Sequence, residues 1–107
     1  MNFSCEKYLL QNACATASRA AAGKSPIPAL EGLLIQAGED IRVTGYDLKK
    51  GIYTSLQADI SEAGSVVVGA RLFGEMMRRL PDGIVKVSCD VNNNVNVKCG
   101  KSEFNFM

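Results

Sequence analysis

The sequence predicts an α+β fold, two helices on one face of a mainly antiparallel sheet, in the order β-α-β-β-β-β-α-β-β-β. Three observations carry that expectation. Residues 7–22 and 70–80 repeat apolar positions at helical spacing. The segments around them alternate apolar with polar residues, or are short and β-branched. The strands come in runs between isolated helices, an order that favours antiparallel pairing over parallel βαβ units. A chain of 107 residues fits one domain, 1–107, with enough bulk to bury a core.

Residues 1–6, MNFSCE, alternate and read as a short strand. From residue 7 the period changes. On a helical wheel Leu9, Leu10, Ala13, Cys14, Ala17, Ala20 and Ala21 share one arc; Lys7, Tyr8, Gln11, Asn12, Ala15, Ser18, Arg19 and Ala22 share the other. Gly23 suits the left-handed residue that follows a helix, and Pro26 and Pro28 forbid continuation. Strands across 29–38 and 40–48 are separated by Gly38–Glu39–Asp40. Residues 51–60 alternate as the next strand, and 64–70 form a β-branched run. In the second helix, 70–80, Leu72, Phe73, Met76, Met77 and Leu80 share one face, while Arg71, Glu75, Arg78 and Arg79 share the other. Pro81–Asp82–Gly83 stops it. Strands across 84–91, 94–99 and 102–107 follow, joined by the Asn92–Asn94 turn and by Gly100–Lys101. Two rough halves emerge, each a helix preceded by one strand and followed by three.

Composition excludes several classes. Apolar residues make up 47% and charged residues 21%, as in globular chains and unlike disordered ones. The longest apolar runs fall far short of the ~20 residues that span a bilayer. Residues 1–10 lack a basic stretch followed by an apolar one, so the expected address is the cytoplasm. Four cysteines stand at 5, 14, 89 and 99, and there is no histidine. A zinc site and a cysteine–histidine nucleophile are thereby disfavoured, and the cysteines are expected as small buried hydrophobes. GARLFG is neither a dinucleotide fingerprint nor a phosphate loop. Asp47, Asp59 and Asp90 lie near strand ends, with no pairing to be inferred. The sequence calls for no catalytic residue, no metal and no cofactor.

Charge is unevenly spread. Residues 7–24 carry Lys7, Arg19 and Lys24 and no acid; residues 70–80 carry Arg71, Arg78 and Arg79 against Glu75. The rest of the chain holds six basic and ten acidic residues. Helices side by side would present a basic surface, able to meet a polyanion without making the whole molecule adhesive. The alternative is that these are ordinary solvated helix faces, with basic residues near helix C-termini complementing the macrodipole. Only Tyr8 offers an aromatic on those faces, and no helix-turn-helix is present, so any nucleic-acid contact would be to phosphates. Phe104 and Phe106 share one side of the last strand, either tucked into the core or facing another chain.

MNFSCEKYLL, GKSPIPALEGLLIQA, TGYDL, GARLFGEMMRRLP and CGKSEFNF together resemble the first domain of the bacterial sliding clamp, the beta subunit of DNA polymerase III. The resemblance runs in order along essentially the whole chain. One departure is Cys99, where the closing motif commonly has serine. The resemblance implies one domain of a longer chain built from three in tandem. Two such chains close head to tail into a ring around duplex DNA, tethering the replicative polymerase without catalysis. A clamp loader opens the ring with ATP, and the clamp itself binds no nucleotide. Lys24 matches a basic residue in the loop after the first helix that reaches DNA. Lys24, Arg78, Arg79, Arg19, Lys7 and Gln11 are the implied DNA contacts. Phe104 and Phe106, flanked by Lys101, Arg71 and Leu72, fall where the first domain meets the partner chain. The family's pocket for polymerase and loader peptides lies between its second and third domains. The alternative to a clamp is a free-standing α+β binding domain whose basic face has another polyanionic partner.

Overall fold

The computed structural model describes residues 1–21 and 31–106. Among them nine strands and two helices follow one another as β1 (Asn2–Glu6), α1 (Lys7–Ser18), β2 (Gly32–Ala37), β3 (Ile41–Tyr46), β4 (Gly51–Leu56), β5 (Asp59–Glu62), β6 (Gly64–Gly69), α2 (Ala70–Arg79), β7 (Ile84–Cys89), β8 (Val95–Cys99) and β9 (Ser102–Phe106). The expected order is kept, with one subdivision. The strand expected over 51–60 is broken at Gln57–Ala58: its first part lies beside β3 and its second beside β1. Alternation alone does not reveal that break, because the pattern continues while the chain crosses from one sheet to the other.

The strands form two sheets, β5-β1-β7-β8-β9 and β4-β3-β2-β6, antiparallel throughout. The halves legible in the sequence are real, but each lends its first strand to the other. β1 pairs with β7, Phe3 opposite Val87, beside the strands that follow α2. β6 pairs with β2, Val66 opposite Ile35, beside the strands that follow α1. β5 is the extra element and extends β1's outer edge.

Both helices begin without a side-chain cap. Glu6 and Gly69, the residues before them, are extended, so β1 runs straight into α1 and β6 straight into α2. α1 is shorter than the expected 7–22. After Ser18 the bonding tightens: the amides of Arg19, Ala20 and Ala21 donate to the carbonyls of Thr16, Ala17 and Ser18. The expected stop at Gly23, Pro26 and Pro28 lies outside the described residues. α2 ends because Leu80, ahead of Pro81, is extended at φ −75° and ψ 146°.

The helices pack against each other and against the inner faces of the sheets, and one core joins all the layers. Phe3, Leu10, Leu33, Ile35, Ile41, Phe73 and Met77 are fully buried within it. Each such side chain contributes about 1.5–3 kcal/mol. α1 crosses β3 so closely that a β-carbon on Gly45 would lie 2.1 Å from the Ala17 carbonyl oxygen. The T-G-Y-D-L motif is thus explained by structure: glycine admits the helix backbone, and Asp47 builds the loop after β3. Its carboxylate accepts the Lys49 and Lys50 amides and the Lys50 ammonium, and these bonds hold it down to about 2.

Cys5, Cys14 and Cys99 are buried, and Cys89 is half-buried. Burial, with Glu6 adding, pushes the Cys5 thiol up to about 11; burial, with Cys5 adding, pushes Cys14 up to about 12. Cys99 donates to the Pro81 carbonyl at 3.3 Å.

Two outcomes follow from this packing. Gly45→Ala destabilises the domain by about 3 kcal/mol, since helix backbone rather than a pliant side chain must move; urea unfolding measures it. An aromatic disulfide reagent at pH near 8 titrates one thiol quickly, Cys89, and the remaining three only after denaturation. Mass mapping of the labelled cysteine checks the assignment.

Candidate nucleic-acid interface

The two helices leave an open groove of about 540 Å³ between them. α1 contributes Gln11 and Ser18 to its walls; α2 contributes Arg71, Glu75 and Arg78. The facing comes from helical spacing. Gln11 and Ser18 are seven residues apart on α1, and Arg71, Glu75 and Arg78 recur at four- and three-residue steps on α2. Beneath them Ala13, Cys14 and Ala17 of α1, with Phe73, Met76 and Met77 of α2, turn inward.

Arg78 donates through Nη2 to the Glu75 carboxylate; both side chains are exposed. Arg79, the next residue, is also exposed, and both stand in the last turn of α2, where positive charge meets the negative end of the helix dipole. Arg19 is exposed just past α1. The basic residues Arg19, Arg78 and Arg79 are thus at the surface, and Gln11 and Arg78 face a common groove. Lys24 lies outside the described residues.

Lys7 is the correction. Expected on the polar arc, it is buried, its side chain only 9% exposed, with the ammonium 4.0 Å from the Asp82 carboxylate. A wheel treats a helix as lying on one flat surface. The first turn of α1 is also held from its end: the Lys7 amide donates to the Gly83 carbonyl at 2.8 Å, drawing the residue beneath the turn before β7. The aliphatic stem fills that corner and the ammonium reaches its rim. Lys7 therefore does not stand on the outer face of α1 with the other polar residues.

The ten acids outside the helices are not spread evenly over the sheets. Most of them stand in turns and loops, at Glu39, Asp40, Asp47, Asp82 and Asp90, and on β5 at Asp59 and Glu62. The exposed cross-strand row Lys86, Lys98 and Glu103 is mixed in sign. Tyr53 on β4, with the Arg42 guanidinium 4.6 Å above its ring, is an exposed aromatic on the sheet that the sequence reading did not single out.

The last strand is an edge, bonded only to β8. Phe104 and Phe106 are half-buried and lean on the core, Phe106 meeting Phe73 edge to face with centroids 6.3 Å apart. Leu72 and Arg71 are exposed on α2, and Lys101 is exposed in the turn before β9. The two phenylalanines therefore pack partly inward and stay partly accessible. Among the described residues no helix is long and apolar enough to cross a membrane.

Comparison with known proteins adds an independent line. The family model described as DNA polymerase III beta subunit, N-terminal domain, matches residues 1–107. The beta sliding clamp of Micrococcus luteus is 33% identical over 105 residues, covering 97% of this chain and 34% of that protein. The beta sliding clamp of Streptomyces coelicolor is 34% identical over 105 residues, covering 97% and 28%. The crystal structure of the Bacillus subtilis DNA polymerase sliding clamp superposes with a TM-score of 0.94 at 27% identity, over 98% of this chain and 30% of that one. The chain thus spans about a third of the length of the curated relatives it matches. With its two helices, its strand-exchanged sheets and a family match along its whole length, the chain belongs to the family of DNA polymerase III beta subunit N-terminal domains.

Proposed function

We propose that the chain acts as the first of three tandem domains of a sliding clamp, a non-catalytic processivity factor for DNA polymerase in the cytoplasm. The observation that carries this is the groove between two packed helices, with exposed arginines beside it and no acid from α1. Duplex DNA is the partner such a surface suits. Arginines and amide side chains meet phosphates without reading bases, and contacts of that kind let a protein move along the duplex. Arg78, Arg79, Arg19 and Gln11 are the proposed contacts on the described surface, and Lys24 joins them on the strength of the family resemblance. The greater length of the relatives supports one domain of a longer chain over a free-standing domain.

β9 is the proposed seat of the second subunit. It is an edge strand with half-buried phenylalanines, and Leu72 stands exposed nearby on α2. An edge of this kind is completed by another chain's strand through backbone hydrogen bonds, and the apolar surface beside it supplies the affinity. Lys101 and Arg71 would meet acidic residues of the partner there. Polymerase and clamp loader would engage the domains that follow.

Two experiments on the full-length chain test this. Lys24→Ala shortens retention on closed circular duplex DNA, the deficit widening with salt and independent of sequence; retention equal to wild type at every ionic strength removes Lys24 from the contact set. Leu72→Asp, and separately Phe104→Ala with Phe106→Ala, shift the dimer towards monomer in sedimentation. Since Leu72 is exposed, its variant keeps the wild-type unfolding transition, and an unchanged dimer in both would refute the edge as the subunit contact.

A further inference from the structure

We propose that Glu75 is a built-in competitor for DNA phosphate, holding Arg78 while the groove is empty and releasing it when a phosphate arrives. The proposal rests on the phosphate reading above and concerns how that same site is regulated. Glu75 is the one acid that either helix contributes to the groove; the groove's other carboxylate, Glu31, stands just before β2 and has no ion pair with Arg78. Glu75 stands one turn from Arg71 on one side and Arg78 on the other, and all three line the inter-helix groove. Its carboxylate is bonded to Arg78. Arg79, the adjacent residue outside the groove lining, has no ion pair among the described residues; of the two groove-lining arginines, Glu75 holds Arg78.

The strength of the pair suits an exchange. Both side chains are exposed, so the pair is weak, screened by water and salt. A phosphate presents several acceptor oxygens to the guanidinium fork, so it can replace a single carboxylate bond with two parallel ones. Displacing Glu75 lowers the net gain without abolishing it. Each departing phosphate then leaves behind an arginine that is immediately re-paired, with no bare charge to hold the next phosphate tightly. A protein that tracks along DNA needs contacts made and broken at nearly equal free energy, and an internal carboxylate supplies that balance at a fixed position.

The test uses the full-length protein and a short fluorescent duplex, with affinity read by anisotropy across ionic strength. Glu75→Gln, Arg78→Ala and the double variant are compared with wild type. The expectation is that Glu75→Gln binds about two- to fivefold tighter at low salt, the gain set by the strength of an exposed pair. Its salt dependence changes by less than one released counterion, since Arg78 reaches the same phosphate in both proteins. In the Arg78→Ala background the same substitution produces little gain, since the arginine it frees is gone. A gain that persists undiminished there reflects net charge alone and overturns the proposal. If Arg78→Ala weakens binding while Glu75→Gln changes nothing, the phosphate reading stands and the competitor role falls. If neither substitution moves affinity or salt dependence, or if no variant binds at the lowest salt, the phosphate reading at α2 fails and the proposal with it. Matching unfolding transitions for all four proteins exclude a folding effect.

Discussion

The pairing of β1 with β7, and of β2 with β6, is the constraint on which the rest of this structure depends. Each of the two halves forms its own hairpin run after its helix, yet neither sheet is complete without the strand that opens the other half. Once β1 sits beside β7 and β6 beside β2, both helix starts are fixed, because each helix leaves its strand with no intervening loop. The helices then have one way to lie, against each other and over both sheets. Gly45 shows how tightly that arrangement is drawn, leaving no room for a side chain between α1 and β3. The groove between the helices thus lies where strand exchange brings the two helix starts together.

Local pattern made much of this legible. The inward faces of both helices were readable from spacing, since a helix that packs along its length repeats its contacts every three or four residues. The strand hairpins were readable because Asn92–Asn94 and Gly100 stand where tight turns need them; Asn93 and Gly100 both adopt positive φ. The exchange of strands was not readable, because it depends on residues some 80 positions apart, Phe3 and Val87, and pairing at that distance leaves no local period. The division into β4 and β5 was hidden for a related reason: alternation tells which residues point inward, not which sheet they serve.

At the candidate site the legible part was charge and the illegible part was context. Arg19, Arg78 and Arg79 came to the surface as their spacing implied. Lys7 did not, because the turn before β7 closes over the first residue of α1, a contact made by a segment more than seventy residues away. Glu75 could be seen to share a face with its arginines, but not to be bonded to Arg78 in the groove. The phenylalanines of β9 could be assigned to core or to surface by pattern alone, and they divide themselves between the two.

Strand exchange also bears on how the chain comes into being. A polypeptide emerges from its N-terminus onward, so within this domain β1 is made well before the β7 it pairs with. Until β7 appears, β1 has only the short β5 to bond with, and the apolar side of Phe3 has no opposite face. The domain therefore cannot mature half by half as it is synthesised. β1 must wait until β7 has been made, with closure coming late and all at once, as expected of folds dominated by distant pairings.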